Sequence, residues 1–238
     1  MSGPDQFRTT HWSVVLEAAR PGSPGGLEAF ATLYRDYWYP LYAYVRRRGW
    51  SPHEAEDLTQ DFLVALFERQ RLAGLERGAG RFRSFLLKSL QNFLANAWDR
   101  AAALKRGGGC VLIPLAEVDA ESRFLADATA GSPESSFERA WALTVIEHAM
   151  QHLDSELRAA GKERLWERLR PHLQGDRNGR PYAQIATELG MTEGAVKVAV
   201  HRLRRRYGEL LRAELARTVG AESEVADELR HLRTVVST

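Results

Sequence analysis

Apolar residues recur every three or four positions along most of the chain, a spacing that places them on one side of an α-helix. Few stretches alternate apolar and polar residues in the manner of a half-buried strand, and none of them predicts a β-sheet. The helices predicted from this spacing begin near Thr10, Leu27, Pro52, Phe82, Ser132, Glu163, Tyr182, Glu193 and Ala221. The pattern therefore predicts an all-α protein.

The most informative stretch is residues 182–207, which read YAQIATELGMTEGAVKVAVHRLRRRY. Ala186 lies on the predicted buried side of a first helix, and Gly190 stands where the backbone must turn with positive φ. Thr192 is a good N-cap for a second helix, whose first apolar anchor is Val196. A small buried residue, a turn glycine and an apolar anchor at these intervals indicate a helix-turn-helix.

The second helix of this unit has two different faces. An apolar stripe at helical spacing consists of Val196, Val200, Leu203 and Tyr207. The opposite face is mostly polar and basic and carries Glu193, Gly194, Lys197, Val198, His201, Arg202 and Arg205. In DNA-binding units of this kind the second helix enters the major groove and its early residues meet base edges. The pattern favours DNA binding over the alternative, an ordinary helical hairpin with a solvated basic face.

Composition narrows the class of protein only a little. The chain has 238 residues, 44% hydrophobic and 27% charged, which is typical of a soluble protein with one large or two small domains. Its net charge of +2 says little about partners, although Arg46–Arg48 and Arg204–Arg206 are local basic clusters. The single cysteine, Cys110, excludes an internal disulfide and a cysteine-based zinc site.

The chain also lacks the signals of a membrane or secreted protein. No apolar run approaches the ~18 residues that a membrane span needs. The first residues, MSGPDQFRTTHW, do not combine a basic start with an apolar core as a signal peptide does. We therefore expect a cytoplasmic protein without membrane insertion.

Changes in composition predict how the chain is divided. Lys105–Ser136 has three glycines at 107–109, continues with a short apolar patch at Val111–Leu115, and is then acidic and rich in small residues, which indicates a linker. The predicted fold is two helical domains joined by a flexible acidic linker, the C-terminal domain being the helix-turn-helix. The predicted parts are an N-terminal extension (1–26), a first domain (27–104), the linker (105–136), a second domain (137–215) and an amphipathic tail (216–238).

Three motifs in this order resemble those of bacterial RNA polymerase sigma factors, in particular the compact extracytoplasmic-function class. HEAEDLTQDFLVALFE at 53–68 is similar to the helix that binds core polymerase. RFRSFLLKSLQNFLANAWDR at 81–100 is similar to the helix that contacts the −10 promoter element. GMTEGAVKVAVHRLRRRY at 190–207 is similar to the helix that recognises the −35 element. Together the three motifs and the linker span most of residues 27–215.

The resemblance implies three binding surfaces and no catalysis. Core polymerase would be met at the clamp helices of its largest subunit, through Asp57, Gln60, Asp61 and Phe62. The −10 element would be met by Arg83, Lys88, Gln91, Asn92, Asn96 and Arg100. The −35 element would be met by Thr192, Glu193, Lys197, Val198, His201, Arg202 and Arg205. The resemblance further implies contact with the flap region of polymerase, an anti-sigma factor as a candidate regulator, and no cofactor.

The recognition helix departs from the usual pattern of that family. Members commonly have a threonine before a valine-lysine pair and a serine-arginine pair after it, whereas this chain has Ala195, Val198 and Ala199 in this part of the helix. These residues remove polar contacts, so the promoter preference of the family does not transfer. The tail at 216–238 is also additional to the minimal two-domain unit, and it is expected either to pack on the second domain or to bind a regulator.

Two other classes of function were weighed against the resemblance. The first is a stand-alone helix-turn-helix regulator, whose N-terminal helical domain would sense a signal or mediate dimerisation. The second is an enzyme or metalloprotein, for which His148 and His152 have the i, i+4 spacing of a metal pair. No third ligand, glycine-rich phosphate loop or nucleophile motif accompanies that pair, so neither a metal site nor an enzyme is predicted.

Overall fold

A computed structural model describes residues 25–68, 81–103, 120–127, 131–173, 180–219 and 222–237. Every regular element in these ranges is helical, which confirms the predicted all-α class. The α-helices are Gly26–Arg47 (α1), Pro52–Glu68 (α2), Phe82–Ala103 (α3), Ala120–Ala126 (α4), Pro133–Ala159 (α5), Glu163–Leu173 (α6), Tyr182–Leu189 (α7), Glu193–Thr218 (α8) and Val225–Ser237 (α9). A short 3₁₀-helix, Glu222–Glu224, precedes α9.

Some predicted features lie outside the described residues: the helix at 10–20, the loop at 72–80, the apolar patch at 111–115 and the turn at 175–179. The remaining helices lie close to their predicted positions. Among the described residues, no helix has the length and apolar character that crossing a membrane requires.

The helices form two compact units. The first contains residues 1–144 together with 216–238, and the second contains residues 145–215. The residues of α5 and α8 are therefore divided between the units. The C-terminal segment belongs to the same unit as the N-terminal helices, and not to the helix-turn-helix unit that precedes it in sequence.

Aromatic side chains of α1 fill much of the core of the first unit. Trp38 and Tyr42 stack with ring centroids 5.2 Å apart, and Tyr37 meets Phe82 of α3 edge-on at 5.3 Å. All four side chains are buried. Proline inside a helix commonly kinks or ends it, yet α1 continues through Pro40 as one element. Burial of the aromatic residues on both sides of Pro40 offsets the backbone hydrogen bond that proline cannot make.

Side-chain caps stand at the starts of α2 and α5. The backbone N–H of Ser51 donates to Glu54 Oε2 at 2.9 Å, and the N–H of Glu54 donates to Ser51 Oγ at 3.4 Å, which is a capping box at the start of α2. At the start of α5, the N–H of Ser135 donates to Ser132 Oγ at 3.1 Å. Each cap satisfies a backbone donor that the helix itself leaves without a partner.

A part of the predicted linker is an ordered helix that packs on α1. Arg46 donates from Nε and Nη2 to Glu121 of α4 at 2.9 and 2.7 Å, and Tyr42 Oη donates to the same carboxylate at 2.5 Å. The guanidinium groups of Arg46 and Arg47 lie over the ring of Phe124, 4.9 and 5.1 Å from its centroid. The basic cluster at 46–48 thus contributes two of its cations to contacts inside the unit.

The contact between α1 and α4 predicts a pH-dependent effect of Glu121→Gln. Hydrogen bonds from Arg46 hold the pKa of Glu121 below its usual value. A lowered carboxyl pKa stabilises the fold above the unfolded-state pKa of about 4.3, and this contribution is lost as the pH falls through the folded-state pKa. We expect the variant to lose about 1 kcal/mol at pH 7, as for a partly exposed pair, and to lose less at about pH 3, where more of the Glu121 carboxylate is protonated. Urea unfolding at both pH values tests this, with Glu56→Gln as the control; an equal loss at both would contradict it.

Candidate nucleic-acid interface

The turn between α7 and α8 has the predicted helix-turn-helix geometry. Gly190 follows α7 with φ of 63° and ψ of 34°, in the left-handed region that glycine adopts without strain. The N–H of Met191 donates to the carbonyl of Ala186 at 2.8 Å, which closes the end of α7. The N–H of Ala195 donates to Thr192 Oγ1 at 3.2 Å, so Thr192 caps α8 as predicted.

A hydrophobic core holds these two helices in place. The apolar stripe of α8 is buried at Val196, Val200 and Leu203, as predicted. The remaining buried members of this core are Met150, Leu153, Trp166, Leu169, Ile185 and Ala186. They come from α5, α6 and α7, so α8 is fixed by three other helices of the second unit. The opposite face of α8 is therefore presented by a rigid support.

The predicted DNA-facing residues lie together on the exposed side of this turn and helix. All of them are exposed: Thr192, Glu193, Gly194, Lys197, Val198, His201, Arg202 and Arg205. The Nζ of Lys197 lies 2.7 Å from Glu193 Oε1, and this hydrogen bond raises the pKa of Lys197. Arg205 lies 3.3 Å from Glu209 Oε1. The face is basic, and at two points its cations are paired with carboxylates on the same helix.

The other two arginines of the 204–206 cluster make contacts within the second unit. Arg206 donates from Nε and Nη2 to Glu156 of α5 at 2.9 and 2.5 Å, and from Nη1 to Glu209 at 3.0 Å. Arg204 donates to the carbonyl of His172 at 3.2 Å. These contacts tie α8 to α5 and α6. The basic run is thus partly structural, and Arg205, which is more exposed than Arg206, lies with Arg202 on the predicted DNA-facing side.

A comparison with family models gives a match to this part of the chain. Residues 176–206 match the family model described as Sigma-70, region 4. The matched segment contains α7, the turn at Gly190 and the first part of α8. The segment is thus similar to a region of sigma factors that takes part in promoter recognition. No curated protein and no solved structure matches the chain.

The predicted −10 residues of α3 do not all lie on one surface. Lys88 and Asn92 are exposed one helical turn apart, and Gln91 beside them donates to Glu134 of α5 at 3.2 Å. The backbone of Asn96 and Arg100 belongs to α3, but their side chains lie outside what the structure describes. The described polar surface of α3 therefore centres on Lys88, Gln91 and Asn92.

The structure corrects the prediction for Arg83, which was expected on the same DNA-facing surface. Its side chain is only 2% exposed, because it precedes the buried residues Leu86 and Leu90 by three and seven positions on the same side of α3. Its Nε lies 2.9 Å from Glu138 Oε2, and its guanidinium stacks 4.1 Å from the ring centroid of Trp141. Burial lowers the pKa of Arg83, and the charge of Glu138 acts in the opposite direction.

Arg83 and Glu138 form a buried charged cluster, the Arg83 cluster, together with residues of the C-terminal helix α9. Glu228 of α9 is fully buried and is ion-paired with Arg83, while its other oxygen lies 3.1 Å from Arg81 Nε. His231 Nε2 lies 2.9 Å from Glu138 Oε2, and Arg139 donates to the carbonyl of Val235 at 3.1 Å. Sequence reasoning missed Glu228, although it lies one turn before Leu232 on the buried side of α9.

The predicted polymerase-binding residues of α2 also separate into two groups. Asp57 is exposed, and Gln60 and Asp61 are partly exposed. Phe62 is 3% exposed and packs edge-on against Phe93 of α3 at 5.6 Å. Phe62 is therefore not part of the surface of α2, because its side chain faces the core one turn before Leu66. The accessible polar strip of α2 consists of Asp57, Gln60 and Asp61.

His148 and His152, the histidine pair considered as a metal site, lie one turn apart on α5. In the ranges that the structure describes, no three His, Cys, Asp or Glu side chains are grouped as metal binding requires. His152 lies 3.5 Å from Glu214 Oε1 of α8. This single contact is an ion pair when the histidine is protonated.

Proposed function

We propose that this chain is a sigma factor of the extracytoplasmic-function class. In this proposal it binds core RNA polymerase, recognises the −35 and −10 elements of its promoters and initiates transcription there. The observation that carries the proposal is the exposed basic face of α8, which lies in the segment that matches Sigma-70, region 4. The chemistry of RNA synthesis belongs to the core enzyme, so the chain needs neither a catalytic residue nor a cofactor.

The −35 element is assigned to the exposed start of α8. Lys197 lies one turn into the helix, where a lysine reaches the guanine O6 and N7 acceptors of the major groove. Arg202 and Arg205 lie further along and are assigned to backbone phosphates, which position the helix without reading sequence. Thr192, Glu193 and His201 complete the proposed contact surface.

The −10 element is assigned to the exposed strip of α3. Lys88 supplies a cation for the phosphate backbone, and the amides of Gln91 and Asn92 supply donors and acceptors for base edges. Asn96 and Arg100 extend the proposal along the same helix. Arg83 has no part in it, because its guanidinium is buried between Glu138 and Glu228.

Core polymerase is assigned to the accessible strip of α2, with Asp57, Gln60 and Asp61 meeting the clamp helices of the largest subunit. Carboxylates and an amide complement a basic partner and increase the rate of encounter. The region 4 segment is assigned a second contact at the flap region. An anti-sigma factor is the candidate regulator of such a protein.

Transcription with purified core polymerase tests the proposal. The full chain is added to core enzyme on a library of promoter fragments, and the transcripts are compared with those from core alone. The proposal expects transcripts from a defined subset with a common −35 and −10 spacing. A stand-alone regulator would instead shift specific DNA in a gel without core polymerase and add no new start sites. Specific binding to DNA without core polymerase, or the absence of new start sites with it, would overturn the proposal.

Replacing both Lys197 and Arg202 with alanine is expected to weaken promoter binding by the polymerase complex by about 10- to 100-fold. Each removed cation costs about 1 kcal/mol or more through lost base or phosphate contacts. Arg212→Ala is the matched control, because it removes an exposed cation from the same helix about 15 Å beyond Arg202. Filter binding at one fixed salt concentration provides the measurement, and an equal loss in the control would argue against a local contact.

A further inference from the structure

The DNA-facing side of α8 contains an apolar centre. In the ranges that the structure describes, the exposed large apolar side chains are Met191, Val198 and Leu125, and the first two belong to the helix-turn-helix. Val198 is 48% exposed and lies opposite the buried stripe of the helix. A groove of about 500 Å³ borders it, and its apolar lining comes from the helix-turn-helix (Met191, Ala195 and Ala199) and from leucines of α5 and α6 (Leu153, Leu157 and Leu165). An exposed apolar patch with polar residues at its rim is typical of a binding surface.

The surroundings of Val198 allow a partner to approach closely. Gly194 precedes it by one turn on the same exposed face, and a Cβ at Gly194 would meet nothing nearer than Thr192 Oγ1 at 4.0 Å. Packing within the protein therefore does not require glycine here, and alanine would favour the helix more. Lys197 and His201 flank Val198 on one side, and Arg202 lies one turn further along. An apolar spot with the cations of Lys197 and Arg202 beside it matches a DNA surface better than it matches an apolar protein segment.

In the major groove, the base edges offer one apolar group that Val198 could contact. Each base pair presents hydrogen-bond donors and acceptors there, and the C5 methyl of thymine is the apolar exception. Valine makes no hydrogen bond, so covering a guanine or adenine acceptor would leave that group without water or a partner. Contact with a methyl group instead removes two apolar surfaces from water.

We propose that Val198 reads a thymine methyl group at the centre of the −35 element. This inference rests on the proposed function and assigns the promoter a defined A·T pair at the position opposite Val198. Lys197 and Arg202 hold the helix in register beside it. The alanines at 195 and 199, which replace polar residues of the usual pattern, leave the methyl contact undisturbed.

Replacing thymine with uracil tests the contact without altering any hydrogen bond. Promoter DNA is first selected from a random library by the full chain with core polymerase. Each thymine of the selected −35 element is then replaced singly by uracil, which lacks only the methyl group. We expect one position at which uracil weakens binding about fourfold, the value for one buried methyl group. The same ratio measured with Val198→Ala is expected to fall to about one.

Two further variants separate this contact from general effects. Leu125→Ala also removes an exposed apolar side chain, but from α4 of the first unit, and is expected to leave the uracil effect unchanged. Gly194→Ala adds a methyl group at the approach surface and is expected to weaken binding of the selected DNA. Circular dichroism melting checks each variant, and Tm values within about 3 °C of the parent show that the fold is retained.

The outcomes distinguish this inference from the function on which it rests. Selection of no sequence above core alone would overturn the proposed function, and this inference with it. Selection of a defined −35 element whose thymines and uracils bind equally would overturn this inference alone. A uracil effect that persists in Val198→Ala would also overturn it, because another side chain would then meet the methyl group.

Discussion

Replacing Glu228 with leucine is expected to destabilise the first unit by about 3 kcal/mol. The carboxylate is fully buried and pairs with Arg83, whose guanidinium is 2% exposed. Removing one member of a buried pair leaves the other charge without compensation in a medium that solvates it poorly. Glu138 still pairs with Arg83 in the variant, so the expected loss lies at the lower end for buried ion pairs.

The measurement is urea unfolding followed by tryptophan fluorescence, with the transitions of the two units fitted separately. Trp141 reports on this site, because its ring lies 4.1 Å from the Arg83 guanidinium. Asp227→Ala is the matched control: it removes the preceding acidic residue of α9, whose ion pair with Arg230 is exposed, and is expected to cost less than about 0.5 kcal/mol. Equal losses in the two variants would show that burial of Glu228 is not what stabilises the unit.

A double-mutant cycle isolates the pair from the rest of the packing. Arg83→Met combined with Glu228→Leu is expected to be less destabilising than the sum of the two single changes, because neither charge then remains buried alone. Strict additivity would contradict a direct interaction. Truncation after Thr218 would remove the buried residues Glu228 and Leu232 together. A loss of function in the truncated chain would therefore report on folding as well as on regulation.

The helix-turn-helix could be predicted from sequence because its determinants are local. The positive φ of Gly190, the cap at Thr192 and the buried stripe from Val196 all follow from residues within two turns of one another. Helical period alone then assigned the exposed face of α8 correctly, since residues opposite a buried stripe point to solvent. The region 4 match falls on this segment.

The Arg83 cluster could not be predicted in that way. Its members come from α3, α5 and α9, which are far apart in sequence, and polar residues give no periodic signal for burial. The spacing of Arg83 from Leu86 and Leu90 does place it on the buried side of α3. Its charge nevertheless favoured a prediction of surface exposure. Pairing with Glu138 and Glu228 offsets the cost of burying that charge, and both partners are distant in sequence.

The helix α4 within the predicted linker could not be predicted from local sequence either. The composition of the linker predicted a flexible segment, but Glu121 and Phe124 form a helix whose contacts are made with Arg46 and Arg47 of α1. Seven residues would not form a stable helix alone in water. Tertiary contact therefore determines this element, and the information for it lies in another part of the chain.

Phe62→Ala is expected to cost about 3–5 kcal/mol of stability in the first unit, as a large core truncation. The side chain is 3% exposed and packs against Phe93, so its removal leaves a cavity between α2 and α3. Asp57→Ala, on the exposed side of the same helix, is expected to change stability by less than about 0.5 kcal/mol. Urea unfolding of both variants tests this contrast, and a small loss for Phe62→Ala would place its side chain at the surface after all.

The same two positions separate a folding role from a binding role on core polymerase. Under the proposed function, Asp57→Lys brings a like charge against the basic clamp surface and is expected to weaken core binding about tenfold or more, with unfolding unchanged. Phe62→Leu keeps an apolar core and is expected to bind core polymerase as the parent does, since its side chain does not reach the partner. Titration of labelled protein with core enzyme measures both. Normal binding by Asp57→Lys would exclude this face of α2, whereas weak binding by a stably folded Phe62→Leu would mean that the helix opens to expose its core on contact.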